Sequence, residues 1–306
     1  MHGLLGLSSR CRVVELKHAC YGGTAALQMA ANIVRINPKE KVLVIAADVA
    51  RYDLGSPGEA TQGCGAVAML VTNNPQVLAL EVGSGFYTED VMDFWRPNYR
   101  DTALVDGKYS TMVYLTALKN AWEHFKETRQ LDYEDFARFC YHLPFTKMAI
   151  KAHTRLMKIA GVDAETQAND QKMHSSLSYN RLVGNSYSAS LYFGLAALLD
   201  NDTENLAGQR IGLFSYGSGC VGEFFSGIIG EGYHQGCDTQ AHRQMIDQRQ
   251  RIDFSKYLTF YTQSGQLDKR DQLEISQHTT GRFRLAAIRD HKRVYVHQNV
   301  DQQSTS

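Results

Sequence analysis

Proline is scarce in this chain, five in 306 residues, and acidic and basic residues cancel at 32 each. The charge balance leaves no global field to draw the protein to nucleic acid or to an anionic membrane, so any polyanion contact must be local. The six cysteines, Cys11, Cys20, Cys64, Cys140, Cys220 and Cys237, form neither a CxxC pair nor a Cys/His cluster. That spacing argues against a structural zinc site and a disulfide framework, and it sets the expectation of a reducing cytoplasm with no metal. No apolar run reaches the roughly 18 residues of a membrane helix, and the N-terminus lacks a signal-peptide core. There is no short-period repeat, no low-complexity block and no GK[ST] phosphate loop.

At 43% hydrophobic and 21% charged, the chain has ample material for a core and suggests roughly two domain-sized units. Strand and helix signals alternate as in an α/β fold. Residues 11–16 (CRVVEL) read as a short buried strand and residues 22–36 as a helix of small and apolar residues. Strands are predicted over 41–50, 65–72 and 77–86. A long helix over 110–129 places Met112, Leu115, Leu118, Trp122 and Phe125 on one face. A strand over 136–143 stops at Pro144 and is followed by a basic helix to about residue 160. Residues 184–199 read as a helix, and 210–215 pairs with 221–229 as a hairpin. After about Tyr233 the composition turns to Gln, Asp and Arg, which reads as a peripheral appendix ending in a frayed QQSTS tail.

Glu15 to Ala26, ELKHACYGGTAA, sets Cys20 where strand gives way to helix. Unpaired N–H groups and the macrodipole at a helix start lower a thiol pKa, and Gly22, Gly23 and Ala25 leave room for an acyl group. Cys20 is therefore either a nucleophile for a thioester or a buried structural thiol. His142, at the end of a strand turned by Pro144, projects from the sheet's edge; its imidazole either holds a carbonyl and relays a proton or is a satisfied core histidine. Lys147 and Lys151 share one helical face, where they meet phosphates or simply solvent. Asn185 sits at a helix start, the usual place of an N-cap. Phe214 to Cys220, FSYGSGC, forms either an anion-binding nest of N–H groups or a plain hairpin turn.

Seven motifs in order, ELKHACYGGTAAL, ADVARYDL, GEATQGCGAVAML, YTEDVMDFWRP, YHLPFTKM, YNRLVGNSYSASLY and GLFSYGSGCVGEFFSG, resemble the 3-hydroxy-3-methylglutaryl synthase family, the condensing branch of the thiolase-like superfamily. They cover residues 3 to about 235, with a weaker match at FRLAAIRDHKRVYV. The resemblance implies a layered αβαβα fold of two similar halves acting as a homodimer, with residues 1–80 in the first half, 81–235 in the second and 236–306 as the appendix. It implies that Cys20 accepts an acetyl group from a thioester, that the enolate of this group attacks a 3-keto thioester, and that hydrolysis then releases a 3-hydroxy-3-methylglutaryl product. His142 matches the histidine that orients the acetoacetyl group, Asn185 a contact to the acyl or pantetheine chain, and Tyr52 a tyrosine of the acyl pocket. Ser218 and Cys20 match the two N–H donors of the oxyanion hole. Lys147 and Lys151 match residues facing the carrier's phosphates. No cofactor is implied beyond the thioester substrates.

One departure stands out. The family's general acid/base is a glutamate upstream of the nucleophile, and this sequence carries no match to it; Glu15 and Glu59 match other positions. The expectation is a first half shortened at its N-terminus, with exposed sheet edges and enolate formation slowed by something like 10²–10⁴-fold. Family members use either coenzyme A or an acyl carrier protein in polyketide β-branching, and KMAIKAHTRLM and IRDHKRVYV look slightly more like the polyketide branch. Two alternatives belong to other classes: a non-catalytic remnant that binds acyl thioesters, and a ketosynthase-like decarboxylating enzyme.

Overall fold

Small and apolar residues at helical spacing close into α1 (Gly22–Ile36), with the bounds read from the sequence. Gly23 is needed where α1 crosses the first strand: a Cβ there would stand 3.0 Å from Ala46 Cβ and 3.0 Å from the Ser188 carbonyl. Strands β1 (Val42–Val49) and β2 (Cys64–Val71) pair antiparallel along their whole length, Val42 opposite Val71 and Val49 opposite Cys64. The strand expected over 77–86 is broken into β3 (Leu78–Leu80) and β4 (Gly85–Thr88). Glu81, at the break, turns aside to bind Arg129 and Arg210, a long-range ion network that no local pattern announces.

A short hairpin of β5 (Phe94–Trp95) and β6 (Leu104–Val105) leads into α2 (Gly107–Arg129). Asp106 caps α2 by accepting the Tyr109 N–H, so the helix begins one turn earlier than its apolar period suggests. Its buried face is Val113, Tyr114, Ala117, Leu118, Ala121, Trp122 and Phe125. Met112 is 57% exposed, a correction to the predicted stripe that shows the face centred on Tyr114 and Leu118. There follow β7 (Arg138–Tyr141), α3 (Thr146–Ile159), α4 (Ala164–Asn169), α5 (Ser178–Val183), α6 (Ser190–Asn201), β8 (Arg210–Gly217), β9 (Val221–Ile229), α7 (Tyr233–Gly236) and α8 (Thr239–Asp247). Gly184 to Ser186 is not helical, contrary to expectation; a 3-10 turn over Tyr187–Ala189 precedes α6.

The central sheet runs β3-β9-β8-β7, with β4 also on β9; β7 and β8 are parallel and the other pairs antiparallel. Alternate residues feed two cores. Phe139, Tyr141, Phe214, Tyr216 and Phe224 pack with α2 and α3, whereas Cys140, Ile211, Leu213 and Phe225 pack with α6 and Leu27 of α1. Burial on both faces explains why these strands read as continuous apolar runs. Trp122, Phe125, Phe136 and Phe224 form one aromatic cluster, each fully buried ring contributing about 1.5–3 kcal/mol relative to exposure.

The computed structural model describes residues 2–264, 270–276 and 281–297, and by its contacts the chain divides into two units. Leu16–Asp247 holds the central sheet. The other unit joins Met1–Glu15 to Gln248–Ser306 and contains α9 (Phe254–Ser264) and an antiparallel sheet of β10 (Leu273–Glu274), β11 (Phe283–Arg289) and β12 (Lys292–His297). The predicted QQSTS tail lies outside the described residues. The strand expected over 11–16 is absent: the backbone has no ladder partner among the described residues, and Val13 and Val14 are 66% and 79% exposed. Among the described residues no helix is long and apolar enough to cross a membrane, and no group of three His, Cys, Asp or Glu side chains could hold a metal ion.

Candidate active site

Cys20 lies in a tight turn at the foot of α1. The N–H groups of Tyr21 and Gly22 both donate to the His18 carbonyl, at 2.9 and 3.0 Å. Ala19, directly before the thiol, has φ 34°, a left-handed conformation that costs a residue with a Cβ roughly 1–2 kcal/mol. Such strain persists where surrounding structure enforces it, and it gathers at functional sites. The side chain is 8% exposed. Burial pushes the Cys20 thiol up from its ordinary pKa, and the negative charges of Asp48 and Asp93 push it further. This corrects the expectation of a lowered pKa: desolvation and two carboxylates outweigh the helix terminus, and the protonated thiol is the resting form.

His142 follows β7 immediately, its N–H donating to the Phe214 carbonyl at 2.8 Å. Its ring is buried, with Nδ1 2.8 Å from Ser190 Oγ, and burial lowers its pKa to about 3. It is a neutral imidazole at any physiological pH. Ser190 Oγ also accepts the Leu143 N–H at 3.3 Å, so the hydroxyl is fixed between strand end and helix start. The Tyr114 hydroxyl donates to the His142 carbonyl at 2.9 Å, and Tyr114 lies within electrostatic reach of Cys20.

Tyr52, in the loop after β1, and Asn185 meet directly, Asn185 Nδ2 donating to the Tyr52 hydroxyl at 3.1 Å. Asn185 Oδ1 accepts the Tyr187 N–H at 3.0 Å, so this residue shapes the turn before α6 and is not the helix's N-cap. Tyr187, at φ 45°, hydrogen-bonds to Tyr52, and both tyrosines lie within electrostatic reach of Cys20. Phe94 joins them, its ring 5.9 Å from Tyr52 and 6.0 Å from Tyr187.

Ser218 occupies the hairpin turn between β8 and β9. Neither its N–H nor that of Cys20 finds an acceptor among the described residues. Asp93, fully buried, fixes the turn: it accepts from the Gly219 N–H at 3.0 Å, the Tyr216 hydroxyl at 2.7 Å and Ser110 at 3.1 Å. Tyr52 and Asn185 are in direct contact, Asp93 fixes the turn that carries Ser218, and Asp93, Tyr52, Tyr114 and Tyr187 cluster within electrostatic reach of Cys20. Lys147 and Lys151 are not part of that cluster; they stand exposed on α3 beside Arg155 and Lys158, and none of the four forms an ion pair among the described residues. Sequence reasoning passed over Asp48, Asp93, Tyr114 and Tyr187. The acid in the apolar stretch VMDFW was the one available signal; Tyr114 was hidden in a helix face that reads as core.

Against known proteins, the structure superposes on a solved HMG_CoA synthase complexed with CoA with TM-score 0.90 at 39% identity, covering 97% of this chain and 76% of that one. It superposes on the Curacin biosynthetic pathway HMG synthase in complex with holo donor-ACP with TM-score 0.91 at 33% identity, covering 97% and 77%. The fold is therefore the thiolase-like α/β fold of a condensing enzyme. Residues 8–76 match the family described as Hydroxymethylglutaryl-coenzyme A synthase N terminal, and residues 78–160 and 157–303 its C-terminal counterpart. The Hydroxymethylglutaryl-CoA synthase of Enterococcus faecalis is 39% identical over 299 residues, 96% of this chain and 76% of the relative. The chain belongs to the hydroxymethylglutaryl-CoA synthase family of acyltransferases.

Proposed function

We propose that this chain takes an acetyl group from a phosphopantetheine thioester onto Cys20 and condenses it with a 3-keto thioester to form a 3-hydroxy-3-methylglutaryl product. The observation that carries the reading is the buried Cys20 at the foot of α1, with its own N–H and that of Ser218 unpaired among the described residues and a buried, neutral His142 at the end of β7. In the first step the Cys20 Sγ–carbonyl bond forms, the donor's C–S bond breaks and the donor leaves as a thiol carrying the proton lost by Cys20. The N–H groups of Cys20 and Ser218 stabilise the oxyanion that develops on the acyl oxygen. The neutral His142 orients the incoming 3-keto group, and Tyr52, Asn185, Phe94 and Tyr187 line the acyl chain.

In the second step a base removes a proton from the acetyl methyl, the carbanion attacks the 3-keto carbon, the resulting alkoxide takes a proton back from the protonated base to become the 3-hydroxyl, and water cleaves the Cys20 thioester to a carboxylate and a proton, restoring the Cys20 thiol. The carboxylates within electrostatic reach of Cys20, Asp48 and Asp93, are both engaged, Asp48 by the Ser188 hydroxyl at 2.5 Å and Asp93 by Gly219, Tyr216 and Ser110. Acetylation is accordingly the stronger of the two activities.

The donor's phosphates meet the exposed cations of α3, Lys147, Lys151, Arg155 and Lys158, which suit either coenzyme A or a carrier's phosphopantetheine arm. Steady-state condensation with acetoacetyl-CoA, run with acetyl-CoA and with acetyl-carrier protein in parallel, tests the assignment. Product from either donor supports it, and the preferred donor identifies the branch. A folded chain that makes no 3-hydroxy-3-methylglutaryl thioester with either donor refutes it. The family resemblance further implies a homodimer, which sedimentation of the full chain checks.

A further inference from the structure

α1 is held to the central sheet by polar contacts from one of its faces. Ser215 of β8 and Glu223 of β9 are cross-strand partners. Thr24 Oγ1 donates to Ser215 Oγ at 2.7 Å. The Tyr21 hydroxyl donates to Glu223 Oε2 at 2.7 Å and Gln28 Nε2 to Glu223 Oε1 at 2.8 Å, with Ser84 adding a further hydrogen bond. Glu223 is 1% exposed and no cation pairs with it among the described residues. A lone buried carboxylate is costly to desolvate, and here Phe224 follows it along β9 and Phe86 lies opposite it on β4. Its retention here is offset by donors, two of which come from the segment that follows Cys20. Tyr21 is fixed at its other end as well: a Cβ on Gly217 would stand 2.6 Å from Tyr21 Cβ and 2.8 Å from its N.

We propose that Glu223 is a positioning residue for Cys20, holding Tyr21 and Gln28 so that the thiol stays in register with the thioester it attacks. The proposal rests on Cys20 as the acetyl acceptor. Glu223 itself touches no reacting atom; it acts through Tyr21, the residue joined to Cys20 by a peptide bond.

The full chain, E223A, E223Q and Tyr21→Phe are compared by the single-turnover rate of Cys20 acetylation across acetyl-CoA concentrations, by hydrogen exchange at the amides of residues 21–25, and by melting temperature. E223A and Tyr21→Phe should slow acetylation by about 100-fold at saturation, the scale of a misplacement on the order of 1 Å, with little change in the half-saturating concentration. E223Q, whose carboxamide still accepts one of the two donors, should recover most of that rate. Exchange should quicken in E223A and not in E223Q. A folded E223A with unaltered acetylation and exchange overturns the proposal, as does an E223Q that fails as badly as E223A while both melt early. If the unsubstituted chain takes no acetyl group, the reading of Cys20 fails separately, and unaltered exchange in E223A still overturns the positioning role.

Discussion

The Tyr114 hydroxyl donates a hydrogen bond to the main-chain carbonyl of His142 at 2.9 Å, with the two rings 6.5 Å apart. One fully buried side chain of α2 thus fixes the end of β7, within electrostatic reach of the thiol at the foot of α1.

Tyr114→Phe should leave that carbonyl without its buried donor. An unsatisfied buried acceptor costs about 1–3 kcal/mol, so the urea midpoint should fall accordingly. Condensation should fall more than acetylation, because the histidine's placement and not the thiol's is disturbed. Equal losses in both steps would contradict this division.

Acid should destabilise the chain through His142. Its folded pKa of about 3 lies below the ordinary value of 6.5, so below 6.5 the unfolded chain binds a proton that the folded chain refuses. Stability from the neutral imidazole is full above pH 6.5 and is lost as pH falls toward 3, a contribution on the order of 5 kcal/mol. Between pH 6.5 and 5, above the ordinary range of the carboxylates, urea unfolding should show a stability slope that His142→Gln abolishes. A slope that survives the substitution would assign it elsewhere.

Replacing Lys147 and Lys151 together by alanine should raise the half-saturating concentration of acetyl-CoA severalfold with little change in turnover. The effect should shrink as salt shortens the Debye length to about 3 Å at 1 M. Acetyl-N-acetylcysteamine, which has no phosphate, should be used equally by both proteins; a defect with that donor too would place the lysines in folding instead.

How far the sequence reaches depends on how local the cause is. The bounds of α1 and β9 follow from runs whose neighbours supply the whole signal, small residues at helical spacing in one case and a two-sided apolar strand in the other. The break between β3 and β4 does not, because Glu81 answers to arginines on α2 and β8. The same limit applies within the site. Cys20 and His142 are visible as a thiol at a helix start and an imidazole at a strand end, but the state of the thiol is set by Asp48 in β1 and Asp93 beside β5. Helix-terminus logic predicts a lowered pKa, and tertiary burial reverses it. The strand predicted at residues 11–16 fails for a related reason, since apolar residues make a strand only where another edge is present to receive them.

In the proposed reaction Cys20 is the acyl acceptor and His142 the group that orients the second substrate. Incubation with labelled acetyl-CoA followed by peptide mass spectrometry measures this directly, on the unsubstituted chain, Cys20→Ser and His142→Ala. The prediction is an acetyl adduct on Cys20, none in Cys20→Ser, and an adduct retained in His142→Ala while condensation is lost. An intact fold with no acetyl on Cys20, or an adduct lost in His142→Ala with condensation preserved, would contradict it.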